Sequence, residues 1–160
     1  MKRIDRILKH DTYLKCVKKN HRYEKSRIFC RHDMGHFLAV ARIAHILNLE
    51  KGLCLNKELL YAAALLHDIG RFRQYEDDIP HDKASAELAP EILRDCGFTQ
   101  EEIALIVDAI KNHRNETIKK EKSLRGILYR ADKLSRNCYF CAAEKKCDWK
   151  QGKKNTRLRY

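Results

Sequence analysis

Four histidines and two aspartates stand out in this 160-residue chain by type and by place: His36, the adjacent His67 and Asp68, His81, His113 and Asp132. His67 and Asp68 close a run, Leu59 to Leu66, that is otherwise apolar, and two ionisable side chains there are costly unless something satisfies them. His36 recurs at helical spacing with Val40, Ile43 and Leu47, which turns its imidazole toward the core. Asp132 follows Ala131, one turn after Leu128, and faces inward with them; a buried carboxylate needs a cation. His81 and His113 flank helix boundaries. Imidazole and carboxylate are the donors that iron, manganese, cobalt and zinc accept, so six such groups, several of them on inward faces, predict a metal site. Arg71, four residues after His67 and just past Gly70, is placed to reach a phosphate.

The elements that must carry these groups are helices. No Asn-Gly or Asp-Gly hairpin signal occurs and no segment alternates apolar and polar residues for long, whereas stripes of period 3.6 recur. One runs through Ile4, Ile7, Leu8, Leu14 and Val17, a second through His36, Val40, Ile43 and Leu47, and a third through Leu59, Ala63, Leu66 and Ile69. Asn56 caps the start of the third, and Gly70 stands where a helix end favours a positive φ. A fourth helix spans about Asp82 to Cys96 and stops at Gly97, with Pro90 expected to kink or split it. Thr99-Gln100-Glu101-Glu102 is a capping box that opens a helix carrying Ile103, Ile106, Val107 and Ile110. The last stripe is Leu124, Ile127, Leu128, Ala131 and Leu134. The fold class is all-α: a compact helical bundle at residues 27–137, a basic N-terminal helix at 1–26 packed on it, and a basic, cysteine-bearing tail at 138–160.

With 44% hydrophobic residues, the chain can bury one core. Eight consecutive apolar residues are too few for a membrane span. The charged start MKRIDRILKH lacks the apolar stretch of a secretory leader, which predicts a cytoplasmic protein. Charge is unevenly placed. Residues 1–31 hold eleven Lys and Arg against three acids, residues 119–160 fourteen against four, and the stretch between nine against fifteen. Basic ends around an acidic centre suit a small anionic substrate, with the acids left for cations. They also suit nucleic acid, although no nucleic-acid-binding motif is present.

The order of His36, His67-Asp68 and Asp132 resembles the H…HD…D signature of the HD superfamily of metal-dependent phosphohydrolases. GHFLAVARIAHIL looks like the family's first-histidine helix, AAALLHDIGR like its HD helix and ILYRADKLSR like its final aspartate helix. His36 is preferred to His32 as the ligand because Val40, Ala41 and Ala44 follow it at the family's spacing. Extra histidines at His81 and His113 are similar to those of the two-metal bacterial branch that hydrolyses diadenosine tetraphosphate. The GYP motif of the cyclic-dinucleotide phosphodiesterases is absent, and Arg114 replaces the second histidine of their HH pair.

What the resemblance implies is a hydrolase for a phosphoester or phosphoanhydride of a nucleotide-like substrate, with metal-activated hydroxide as the nucleophile. Two divalent transition ions (Fe, Mn, Co or Zn) would be bridged by Asp68, with His36, His67 and Asp132 on one and His81 and His113 on the other. His32, one turn before His36, matches a histidine that protonates the leaving oxygen in related cyclic-nucleotide phosphodiesterases, which makes it a candidate general acid. Two other readings fit the same residues. Some relatives with this ligand layout are mixed-valence di-iron oxygenases, and the basic ends would serve a non-catalytic nucleic-acid-binding module with a structural metal.

Seven cysteines are an odd number, and in a chain without a secretory leader they read first as reduced thiols. Cys16, Cys54 and Cys96 fall in helical patterns and read as small core residues. Cys138-x2-Cys141-x5-Cys147 is a partial zinc pattern that needs a fourth ligand, such as Cys30, Asp148 or a cysteine brought in by folding.

Overall fold

The run Lys57–Leu66 becomes the central helix because it is apolar on every side: Leu60, Ala62, Ala63, Ala64, Leu65 and Leu66 are all buried. The computed structural model describes residues 1–160 and contains eight α-helices and no strand. They are α1 (Lys2–Lys9), α2 (Asp11–Glu24), α3 (Met34–Glu50), α4 (Lys57–Leu66), α5 (Arg71–Glu76), α6 (His81–Asp95), α7 (Gln100–Asn112) and α8 (Leu124–Leu134). Around α4 pack α3, α7, α8, α1 and α6, while α2 lies against α5. The predicted starts hold. Asn56 accepts a hydrogen bond from the Glu58 N–H, and Thr99 and Glu102 form the reciprocal capping box of α7. No helix is long and apolar enough to cross a membrane.

Four expectations need correction. The first stripe is two helices, broken at His10. His10 is extended and its imidazole accepts from the Thr12 N–H at 3.2 Å, capping α2. The phase therefore shifts, so that Leu14 is exposed and Tyr13, Cys16, Asn20 and Glu24 form the buried face. Pro90 does not split α6, which runs unbroken across it. Burial of Ala84 and Ser85 before the proline and Ile92 and Leu93 after it holds the two halves in line, and tertiary packing outweighs a local cost of about 3 kcal/mol. Cys54 is exposed, in a turn at φ 54°, whereas Cys16 and Cys96 are buried as expected.

Gly70 is the fourth correction. Its φ is −86°, so no left-handed conformation requires glycine there. The reason is contact: a Cβ on Gly70 would stand 2.5 Å from the Ser85 backbone nitrogen and 2.6 Å from the Ala84 carbonyl carbon. The turn after α4 is thus pressed onto α6, where the Gly70 N–H donates to Ser85 Oγ at 2.9 Å. On its other side buried Asn20 clamps the turn, donating to the Asp68 carbonyl at 2.9 Å and accepting from the Phe72 N–H at 2.8 Å. Gly70→Ala should cost about 3 kcal/mol in denaturant unfolding, because neither side of this contact can yield without moving backbone. Gly152→Ala, which meets nothing within 4 Å, should stay within about 0.5 kcal/mol; equal effects would disprove the close-contact account.

Candidate metal centre

The clamped turn points His67 and Asp68 into the middle of the bundle. There α3 supplies His36, the start of α6 His81, the end of α7 His113 and α8 Asp132. Two groups result, His36–His67–Asp132 and Asp68–His81–His113, each with donor atoms within 4.8 Å of one another. The six predicted donors are brought together, and His67, Asp68, His81 and His113 are buried.

Asp68 lies between the groups and faces each with a different oxygen. Oδ2 is 3.1 Å from His67 Nε2 and 3.6 Å from His36 Nε2. Oδ1 is 3.4 Å from both His81 Nε2 and His113 Nε2. Asp132 Oδ1 completes the first group at 3.5 Å from His36 Nε2. Donors that each sit about 2.1 Å from one ion stand about 3.0–3.4 Å apart, close to the spacing found here.

Hydrogen bonds on the far side of each ring fix which nitrogen is free. His67 Nδ1 is 2.7 Å from the Ala64 carbonyl and His113 Nδ1 is 2.6 Å from the Ile110 carbonyl. A carbonyl only accepts, so both rings carry the proton on Nδ1 and aim an Nε2 lone pair at the centre. Ser135 Oγ donates to the Asp132 carbonyl at 2.8 Å, which leaves it to accept from His36 Nδ1 at 3.3 Å. His36 Nε2 and His67 Nε2 then face each other at 3.2 Å as two lone pairs, an arrangement that a cation between them relieves. His81 Nδ1 is 2.6 Å from both Gln74 Oε1 and Arg71 Nη1. Donation to Gln74 frees Nε2 for an ion, and acceptance from Arg71 does not, so the two states exclude each other.

The protonation states also fit a cation. Burial opposes ionisation of Asp68, yet His67, His32, His113 and His36 hold its carboxyl well below the usual range. Asp132 is lowered against burial by Lys133, His67 and His36. Burial pushes His81 down to about 3, only partly opposed by Asp68, so it is a neutral ligand at pH 7. Asp68 Oδ1 is buried with no hydrogen-bond partner. An orphaned carboxylate oxygen beside the neutral His81 imidazole has the chemistry of a divalent-cation site, and the residues present fit one.

A pH dependence follows for the protein stripped by chelator. The folded-state value of His81 is depressed, so the unfolded chain binds the extra proton and stability falls as pH drops from about 6.5 toward 3. The depressed carboxyls of Glu24, Asp68 and Asp132 add a further loss below about pH 4. The melting temperature of the stripped protein should therefore begin to fall below pH 6.5. A flat profile from 6.5 to 4.5 would contradict a neutral, buried His81.

Beside the centre stand groups that periodicity alone had not marked. Glu24, at the end of α2, is buried and accepts from the His32 backbone N–H at 2.6 Å and the Tyr75 hydroxyl at 2.9 Å, with His32 Nδ1 at 2.7 Å. These bonds outweigh burial and hold its carboxyl down to about 2. His32 is thereby fixed with Nε2 3.8 Å from Asp68 Oδ2. Arg71 reaches the same place, 3.5 Å from Glu24 Oε1. The signal for Asn20 and Glu24 was in the chain: both continue the stripe of Tyr13 and Cys16, and polar residues in phase with a buried face need partners.

A cavity of about 820 Å³ reaches His36 and Ser135 at the edge of the centre. Arg27, Arg31, Arg136 and Lys146 line it, together with Phe29 and Trp149. Residues 34–137 match the HD domain family. An uncharacterized protein of Clostridium beijerinckii is 44% identical over 160 residues, the full length of both chains. None of the solved structures matches.

Proposed function

The chain belongs to the HD domain family, and from that membership we propose that it is a two-metal phosphohydrolase acting on a phosphoester or phosphoanhydride of a nucleotide-like substrate. The observation that carries the reading is the division of Asp68, whose oxygens face the two donor groups separately. His36, His67 and Asp132 would hold one ion, His81 and His113 the other, and Asp68 would bridge them. Bound divalent ions supply Lewis acidity there and lower the pKa of water enough to furnish a nucleophile near neutral pH.

The rest of the work falls to side chains. Ser135, Ala64 and Ile110 hold the imidazoles in one tautomer, which spares the site reorganisation. His32, backed by the Glu24 carboxylate, is held to give a proton from Nε2 to a leaving oxygen. Arg71 loses one of its partners when His81 turns its Nδ1 proton to Gln74, and its guanidinium, held beside the centre by Glu24 and Gln74, is placed for a phosphate oxygen. The cavity's cations and aromatic rings support a substrate that is both anionic and flat-faced, as a nucleotide is. Within the family, the ligand order makes dinucleoside polyphosphates the first candidates.

The test is phosphate or nucleotide release from a panel of mono-, di- and dinucleoside polyphosphates, with Mn, Fe, Co or Zn restored after chelation. Turnover without oxygen that needs added metal supports hydrolysis. Oxygen uptake coupled to an organic substrate, with no phosphate released, would replace this reading by the di-iron oxygenase one.

A further inference from the structure

Residues 136–160 form no core: Ala143 is their one buried residue, and their regular structure is three short 3-10 turns. A segment of this kind needs a cross-link or a metal to hold one conformation. Part of its anchoring is visible. The Asn155 amide donates to the carbonyls of Lys133, Leu134 and Arg136 at the end of α8. Lys154 Nζ donates to the Glu144 carbonyl and side chain, each at 2.9 Å.

Between these anchors the tail delivers Cys138, Cys141 and Cys147 to the 820 Å³ cavity, and the loop before α3 delivers Cys30 to the same walls. Four of the seven cysteines thus converge from segments more than a hundred residues apart, and none is in a disulfide. The turns suit them. The Cys141 N–H donates to the Cys138 carbonyl, and the Cys147 N–H to the Glu144 carbonyl, so Cys141 and Cys147 each stand at the exit of a tight turn. Arg136, Lys146 and Lys154 line the same cavity, and cations are what a dianionic tetrathiolate centre needs around it.

We propose that Cys30, Cys138, Cys141 and Cys147 are the ligands of a second metal site, a closed tetrathiolate centre for one zinc ion that ties the C-terminal tail to the mouth of the cavity. All-thiolate, four-coordinate sites with no open position are structural, and zinc is their usual ion. The four cysteines line one cavity, with their sulfurs spread wider than the 4.8 Å that encloses each donor group of the His and Asp centre. Closing the site takes thiol rotation and movement of turns that have no core of their own to resist it. Binding converts four thiols to thiolates and releases their four protons to solvent. The site borders the cavity that the phosphohydrolase reading gives to substrate, but it shares no ligand with the His and Asp centre, so either reading can fail without the other.

The test uses the full chain carrying His67→Ala and Asp68→Ala, which disables the first centre. Reduced protein is refolded with Co(II) as a spectroscopic stand-in for zinc. Sulfur-to-cobalt charge-transfer absorption at one ion per chain, displaced by zinc, is the expected result, and His or Asp ligands cannot produce that band. The same band in the unaltered chain guards against misfolding of the variant. Cys30→Ser and Cys141→Ser should each weaken it, and Cys54→Ser should leave it unchanged. Absence of the band in the reduced unaltered chain, a Cys138–Cys141 disulfide that forms in the presence of zinc, or an iron–sulfur chromophore would each overturn the assignment.

Discussion

Asp68→Asn should abolish metal-dependent turnover and empty both donor groups together, whereas Asp132→Asn should empty one. Asparagine keeps the shape and hydrogen-bonding reach of aspartate but removes the charge, so the comparison isolates electrostatics from packing. Asp68 is 2% exposed and faces His67 and His36 through one oxygen and His81 and His113 through the other. Losing both ions removes the Lewis acid and the activated nucleophile together, and the expected fall of about 10²–10⁴ in kcat/KM corresponds, at about 1.4 kcal/mol per factor of ten, to about 3–5 kcal/mol of transition-state stabilisation. Metal content per chain and the chelator-sensitive part of the melting temperature are the direct readouts, because an ion that binds only the folded state raises that temperature. Should Asp68→Asn lose metal from the His36–His67–Asp132 group alone, the bridging role would be wrong.

His32→Gln should lower kcat by about 10²–10⁴ for substrates with a poor leaving group, the range of general acid catalysis. It should have little effect on an activated ester such as a nitrophenyl phosphate, whose leaving oxygen needs no proton. The buried Glu24 carboxylate, pulled down to about 2, remains charged and fixes the His32 ring through Nδ1 at 2.7 Å. Glu24→Gln should therefore give the same leaving-group dependence in weaker form, with metal content unchanged. A uniform loss on both substrate types would make His32 a positioning residue, and the proton would have to come from elsewhere.

Glu24 and His32 also show where reading the chain by periodicity stops. Both segments carry recognisable helix signals, and a stripe through Tyr13, Cys16, Asn20 and Glu24 was available, but a wrong phase at His10 hid it. The phase broke because an extended residue capped by its own imidazole looks like any other histidine in a one-dimensional pattern. Gly70 stands at a helix end, a place that suggests backbone freedom, whereas its neighbours across space, Ala84 and Ser85, are what demand the missing Cβ.

The chain alone determined that this protein is helical, where α4 and α7 begin, and that six imidazoles and carboxylates, several on inward faces, follow an order shared with the HD domain. Helical period, capping boxes and the cost of buried ionisable groups are local properties, legible within a few residues. Tertiary structure alone decided which oxygen of Asp68 faces which histidines, that Ser135 sets the tautomer of His36 from 99 residues away, and that Cys30, among the candidate partners of the tail's thiols, lines the same cavity as they do. Periodicity says which side of a helix is buried; what stands opposite depends on how the helices cross, and that is settled only when the whole core packs.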